Sequence, residues 1–244
     1  MRNVATEQAS RATQPELVRE VIRVYERYAV EVVERFDLCP WAERARQAGR
    51  VEPRVLFDSD PSQQGSALEA ITHLAGDERV EVGILVFPCL DIGRRDFEHY
   101  LRILRQADVE RYEPGLGPFA MAAFHPDAAP DLDHSDRLVP FVRRSPDPTI
   151  QLVRKSLLDE LNGNTRAGTS FLDIRRLAEG FGGTTERETV SLRQWVAERN
   201  LATVSQCGAA TLEAIFEDIE RDRRESYARV GLPPTPRAHP YAPG

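Results

Sequence analysis

Residues 118–127 read PFAMAAFHPD, an apolar run that ends in a histidine, a proline and an aspartate. A short apolar run bounded by turn-forming residues is typical of a buried strand, so we predict a strand over 118–124. Two earlier segments, 51–57 and 80–87, have the apolar patterns of strands as well. The chain therefore has at least three segments that can pair into one sheet.

Helices are predicted between and after these strands. One begins at Asp60-Pro61 and is stopped by Gly76, and the next carries an apolar stripe over residues 97–104. Residues 125–147 are rich in Asp and Pro and are predicted to form a long irregular loop. A further helix is predicted to begin at Asp147-Pro148, because apolar residues recur there at helical spacing: Ile150, Val153, Leu157 and Leu161.

The order of these elements predicts the fold class. Alternating strands and helices favour an α/β fold, or an α+β fold, with a single mixed or mainly parallel sheet of three to four strands and flanking helices. Residues 170–174 are a candidate fourth strand. Helices are also predicted over 192–201 and 211–230, and the latter is strongly charged.

The first helix has the clearest signals in the chain. Thr13 and Glu16 have the spacing of a capping box, so a helix is predicted to start near Gln14, and its apolar stripe continues to Phe36. We expect a disordered leader over 1–12, one domain with N- and C-terminal helices over 13–230, and a disordered, proline-rich tail over 231–244.

Composition excludes several classes of protein. The 244 residues have a formal net charge of −7, which argues against a general nucleic-acid binder. No apolar run is long enough for a membrane span or a signal peptide, so we expect a cytoplasmic protein with no membrane partner. Three widely spaced cysteines argue against a disulfide framework, and Lys155, the only lysine, has the surroundings of a solvated helix face.

The strand ends carry the candidate functional residues. In parallel sheets ligands collect beyond the carboxyl ends of the strands, and these ends precede Asp58, Cys89 and the pair His125 and Asp127. His125 is a candidate general base or metal ligand, with Asp127 fixing its tautomer. The alternative is a structural turn in which His125 caps the strand and Asp127 forms an Asx-turn.

Cys39 and the segment 143–146 are further candidates. If Pro40 opens a helix, Cys39 lies at its N-terminus, where a thiolate is favoured as a nucleophile or metal ligand; a buried, inert thiol is the alternative. Arg143, Arg144 and Ser145 precede the helix predicted at Pro148 and form a candidate site for a carboxylate, a propionate or a phosphate. Two adjacent surface arginines are the simpler explanation.

Three short motifs in this order resemble a bacterial protein family of unknown function. They are LCPW at 38–41, FHPD at 124–127 and RSP at 144–146, and the resemblance covers residues 16–162. Trp41 replaces the usual phenylalanine, and Arg143 stands where an asparagine or similar residue is expected. A looser similarity extends to haem-containing proteins that N-hydroxylate arginine.

The looser similarity implies a haem-binding, oxygenase-like oxidoreductase. His125 or Cys39 would be the axial iron ligand, and Arg143, Arg144 and Ser145 would hold the haem propionates. The acidic loop residues 127, 131, 133 and 136 would favour a small cationic substrate of the amino-acid type. The alternatives are an enzyme without haem that uses Cys39 or the pair His125 and Asp127, and a non-catalytic binding or scaffold protein that forms oligomers through its terminal helices.

Overall fold

A computed structural model describes residues 12–39, 42–112, 117–128, 134–159 and 192–232. Within these ranges the chain forms a four-stranded sheet with helices on both of its faces. The strands are β1 (Val51–Val55), β2 (Val82–Val86), β3 (Phe119–Phe124) and β4 (Thr149–Arg154). The helices are α1 (Gln14–Tyr28), which continues as a π-helix over Ala29–Glu34, α2 (Ala42–Gln47), α3 (Gly65–Gly76), α4 (Arg94–Arg111), α5 (Ser135–Val142), α6 (Leu192–Cys207) and α7 (Ala209–Val230).

The strand order is β1-β2-β4-β3. Strands β1 and β2 are parallel, and β4 is antiparallel to both of its neighbours. Strands β1, β2 and β3 therefore run in the same direction, and their carboxyl ends share one edge of the sheet, at which β4 begins. We call this the carboxyl edge. The expected single mixed sheet with flanking helices is confirmed, and the class is α+β.

Strand β4 corrects a prediction, because the helix expected from Asp147-Pro148 is a strand over Thr149–Arg154. It is a central strand, and helices cover both faces of the sheet, so Ile150, Leu152 and Val153 are all buried. A strand that is buried on both faces does not alternate apolar and polar residues. The apolar residues of this segment therefore recur at a spacing that also fits a helix. Residues 155–159, directly after the strand, are helical.

Two other predictions about local structure were wrong. The segment 125–147 is not irregular throughout, because it contains helix α5, whose internal Pro140 masked the helical signal. Helix α3 begins at Gly65 rather than at Asp60-Pro61, where the chain forms a turn. Residues 170–174, the candidate fourth strand, lie outside the described residues, as do 1–11 and 233–244.

Side chains of alternating strand positions pack into two apolar layers. On one face Val82, Ile84 and Val86 pack with α1, α5, α6 and α7; on the other Leu85 packs with α3 and α4. The expected capping box at Thr13 is present at the start of α1. Among the described residues no helix is long and apolar enough to cross a membrane.

The terminal helices of the described chain pair with each other. Arg23 and Asp222 form two hydrogen bonds of 2.9 Å, and Arg27 donates to Asp222 at 2.7 Å and to Asp218 at 2.8 Å. The apolar residues of α1 and α7 belong to one core cluster. Packing within the chain therefore accounts for both apolar stripes, and the expected oligomer through these helices stays a prediction.

The α1–α7 ion pairs predict a dependence of stability on pH. Hydrogen bonds from Arg23, opposed by burial, lower the pKa of Asp222 from 3.8 to about 2. This stabilisation is complete above the unfolded-state pKa and is lost as the pH falls through about 2. At pH 7, Asp222→Asn should lower the free energy of unfolding by about 1–2 kcal/mol, since Arg23 is partly exposed. Urea denaturation of both proteins at several pH values measures this loss. A loss of the same size at pH 2 would contradict the prediction.

Candidate functional site at the carboxyl edge

The segments that carry the candidate residues meet at the carboxyl edge. Asp58 follows β1, Cys89 follows β2, and His125 and Asp127 follow β3. The segment 143–148 leads into β4 at the same edge. The backbone joins two of the motifs directly, because the His125 amide donates a hydrogen bond of 3.0 Å to the Arg143 carbonyl.

Tyr28, on α1, packs against the second motif and bonds to the backbone that leads into the third. Its hydroxyl donates a hydrogen bond of 2.8 Å to the Val142 carbonyl, and its ring lies 6.5 Å from the Phe124 ring, edge to face. Burial raises the pKa of Tyr28 well above its usual value. Leu38, in the first motif, belongs to the same core cluster as Tyr28. In the sequence Tyr28 is one of the residues of the apolar stripe of α1 and has no further signal of its own.

His125 is buried and both of its ring nitrogens have partners. Only 4% of its surface is exposed. Nδ1 accepts a hydrogen bond of 3.1 Å from the Asp127 amide, so Nε2 carries the proton and donates to the Ile92 carbonyl at 2.9 Å. The Asp127 carboxylate lies 3.8 Å from Nδ1. The His125 ring thus caps the end of β3 by accepting from the Asp127 amide, and a role for His125 as base or iron ligand would require one of these bonds to break.

Arg143 and Ser145 are engaged within the chain. The Arg143 guanidinium lies 5.2 Å from the centre of the Phe124 ring. The Ser145 hydroxyl is buried and donates a hydrogen bond of 2.5 Å to the Asp147 carbonyl. The helix N-terminus that was expected to complete an anion site is absent here, because the residues after Pro148 form β4. That part of the prediction is wrong.

Arg144 differs from its neighbours. Its guanidinium is stacked 4.9 Å from the Phe216 ring and 5.8 Å from the Phe141 ring. The guanidinium makes no hydrogen bond and no ion pair with any residue that the structure describes. Burial lowers the pKa of Arg144, whereas nearby carboxylates, led by Glu213 and Asp127, oppose that change. Arg144 is thus a partly buried cation whose guanidinium donors are not used by the described part of the chain.

Cys39 is half-buried at the end of an irregular turn. The turn follows the π-helix and passes through Asp37, whose φ of 50° lies in the left-handed region. The Cys39 carbonyl accepts a hydrogen bond of 3.2 Å from the Ala42 amide, where the six-residue helix α2 begins. Pro40 and Trp41 lie outside the described residues. A π-helical turn and a non-glycine residue with positive φ are both frequent at functional sites.

The other two cysteines offer a comparison. Cys39, Cys89 and Cys207 are all thiols rather than disulfides. Burial, with a smaller contribution from Asp147, raises the pKa of Cys89. Cys89 is therefore mainly a protonated thiol at neutral pH and a poor nucleophile.

A buried ionic cluster beside these residues was not predicted from the sequence. The Asp147 carboxylate is buried and accepts hydrogen bonds of 2.8 Å from Arg223 and 2.6 Å from Tyr227, both on α7. Arg223 is only 1% exposed. One signal was available in the sequence. Arg223 continues the apolar spacing of Phe216, Ile219 and Tyr227, and an arginine on such a stripe must be buried with a partner.

Two of the residues expected to hold haem are already engaged within the chain. Both His125 ring nitrogens are hydrogen bonded, and the Ser145 hydroxyl is buried and bonded to Asp147. Cavities of about 440 and 510 Å³ lie away from the motifs, the first beside the start of α1 and the second between α3 and α4. Among the described residues no three His, Cys, Asp or Glu side chains are grouped to hold a metal ion.

Comparison with known proteins places the chain in a family. A model of proteins of unknown function, DUF1415, matches residues 20–169, more than half of the chain. The chain belongs to this family. No curated protein and no solved structure matches it. The expected resemblance to an uncharacterised family is thus confirmed at that level, and the three motifs lie within the matched residues, whereas Arg223 and Tyr227 lie outside them.

The hydrogen bonds of His125 predict a structural cost for its removal. His125→Ala leaves the Ile92 carbonyl without its donor and should lower the free energy of unfolding by about 1–3 kcal/mol. His134→Ala is the matched control, because His134 is exposed and makes no side-chain capping bond to α5; its effect should stay within about 0.5 kcal/mol. Equal stability of the two variants in urea denaturation would contradict the structural role.

Proposed function

We propose that this protein is an enzyme that acts on a small molecule of the amino-acid type, and that Arg144 binds the carboxylate of that molecule. The observation that carries the proposal is the state of Arg144. Its guanidinium lies at the carboxyl edge beside the Phe141 and Phe216 rings and donates no hydrogen bond to the described residues. An arginine with unused donors in partly desolvated surroundings favours a bidentate carboxylate ligand.

The surroundings of Arg144 favour a ligand that also carries a positive charge. Glu213 and Asp127 act on the charge of Arg144, yet neither forms an ion pair with it, so each carboxylate is more than 4.0 Å from the guanidinium. A guanidinium with carboxylates at this separation is complementary to a zwitterion, which carries a carboxylate at one end and an ammonium group at the other. Of the loop aspartates expected to favour a cationic substrate, Asp127 has this position; the side chains of residues 131, 133 and 136 are not among those described.

Cys39 is the residue that we propose for the chemical step. It is half-buried, and its turn has irregular backbone geometry. A thiolate at this position would be a nucleophile, or an iron ligand in the haem version of the proposal. Bound haem would supply oxygen activation. We assign His125 no part in that version, because both of its nitrogens are hydrogen bonded.

A non-catalytic protein is the second candidate. It is favoured by the internal partners of His125, Arg143 and Ser145, which make these motif residues parts of the folded framework. Arg144 separates the two candidates only in part, since a binding protein would use it as well. Dependence of a chemical reaction on Cys39 distinguishes the enzyme.

Ligand binding tests the proposal at Arg144. Calorimetric titration with glycine, L-arginine and acetate should show binding to the wild-type chain, and Arg144→Met should weaken all three by about tenfold or more. Glu213→Gln should weaken glycine and L-arginine but not acetate. Arg224→Met, an exposed change on α7, should alter none of them. Equal binding by Arg144→Met, or no binding of any probe to the wild type, would contradict the proposal.

The haem version has a separate spectroscopic test. Hemin is added to the purified wild-type chain and the Soret region is recorded. We expect any band that forms to depend on Cys39: Cys39→Ala should abolish it, whereas Cys207→Ala and His125→Ala should retain it. A band lost in His125→Ala but kept in Cys39→Ala would contradict this assignment. If the wild type shows no band, the haem version of the proposal is wrong. The amino-acid site is then still tested by the calorimetric titrations.

A further inference from the structure

We propose that Arg223 and Tyr227, on α7 and outside the segment that matches the family, are positioning residues of the Arg144 site. This inference rests on the proposed function, since it assigns these residues a role in presenting Arg144 to a ligand. It extends the site from the matched segment, residues 20–169, to the C-terminal helix.

The first step is the geometry around Asp147. Arg223 contacts one carboxylate oxygen with Nε at 2.8 Å and Nη2 at 2.7 Å, and Tyr227 donates to the other oxygen at 2.6 Å. The Arg223 guanidinium also lies 4.6 Å from the centre of the Tyr227 ring. Both carboxylate oxygens are thus held by α7, and the side chain of Asp147 has one orientation relative to that helix.

The second step runs from Asp147 to Arg144 along the backbone. The Asp147 carbonyl accepts hydrogen bonds from the Ser145 hydroxyl at 2.5 Å and from the Thr149 hydroxyl at 2.9 Å. The segment 145–149 is therefore fixed on both sides of the buried carboxylate. Arg144 directly precedes it, and its guanidinium stacks on Phe216, which also belongs to α7. Helix α7 thus holds both the backbone beside Arg144 and its side chain.

A second ion pair from the C-terminal helices is a natural comparison. Arg199, on α6, pairs with Asp37, two residues before Cys39. Both partners are exposed, at 39% and 57%, so water and salt screen the pair and its contribution is small. Arg223 and Asp147 are 2% and 1% exposed at their side chains. We therefore assign positioning to the buried pair and use Arg199 as a control.

Stability alone does not account for the buried pair. Replacement of a buried ion pair by apolar side chains of similar volume is often neutral or stabilising, whereas removal of one partner leaves an unpaired buried charge. An apolar replacement of the whole cluster can therefore fold while it releases the segment 145–149. The triple variant Asp147→Leu, Arg223→Met, Tyr227→Phe makes this replacement, and Arg199→Met is the matched control.

The experiment compares binding, folding and thiol exposure in these variants. The triple variant should unfold cooperatively and bind glycine and acetate at least tenfold more weakly than the wild type. Arg199→Met should bind both probes with wild-type affinity. A folded triple variant with wild-type affinity would overturn the proposal. If the triple variant does not fold, Tyr227→Phe decides: a threefold or greater loss of affinity supports positioning, and wild-type affinity overturns it.

Labelling of Cys89 separates this inference from the proposed function. The Phe87 amide, two residues before Cys89, donates a hydrogen bond of 3.0 Å to the Pro148 carbonyl, so release of the segment 145–149 should loosen the backbone beside the half-buried Cys89 thiol. Reaction with iodoacetamide, followed by mass spectrometry of the peptides, should be at least fivefold faster at Cys89 in Tyr227→Phe, with Cys207 as the internal reference. If the wild type binds no probe, the proposed function fails, and this labelling still tests positioning: an unchanged Cys89 rate overturns it.

Discussion

Asp147 carries a buried carboxylate, and Arg223 and Tyr227 stabilise this charge by reaching both of its oxygens. The pairing connects the start of the central strand β4 to the C-terminal helix α7. Helix α7 in turn packs on α1, whose Tyr28 bonds to the Val142 carbonyl and packs against Phe124 at the carboxyl edge. The arrangement of the carboxyl edge therefore depends on one internal ionic contact between distant parts of the sequence.

The sequence predicted those elements whose signals are local. Helix α1 has a capping box and a long apolar stripe, and β2 and β3 are short apolar runs between turn-forming residues. Strand β4 and helix α5 were not predicted, because their signals depend on the assembled fold. Burial of both faces of β4 removed its alternation, and Pro140 interrupts the pattern of α5. A single sequence does not show which strand will become central.

The candidate site was likewise predicted only where its signals are local in the sequence. The order of strands and helices predicted that residues after β1, β2 and β3 would meet at one edge, and the sheet topology confirms this. What each side chain does there depends on partners from far along the chain. His125 is held by Ile92, and Arg144 stacks on Phe216. A helix N-terminus at Pro148, the first reason to expect an anion site, was wrong. Arg144 is a candidate for a different reason, because no described residue accepts a hydrogen bond from its guanidinium.

The central claim is that the Arg144 guanidinium is a ligand-binding group rather than a purely structural contact with Phe216. NMR of arginine side-chain Nε–H groups tests it most directly, with the Arg144 resonance assigned from its loss in Arg144→Lys. On titration with glycine, the account predicts a saturable shift of the Arg144 resonance while that of Arg221, on the surface of α7, stays in place. An Arg144 resonance that does not move through the titration would contradict the account.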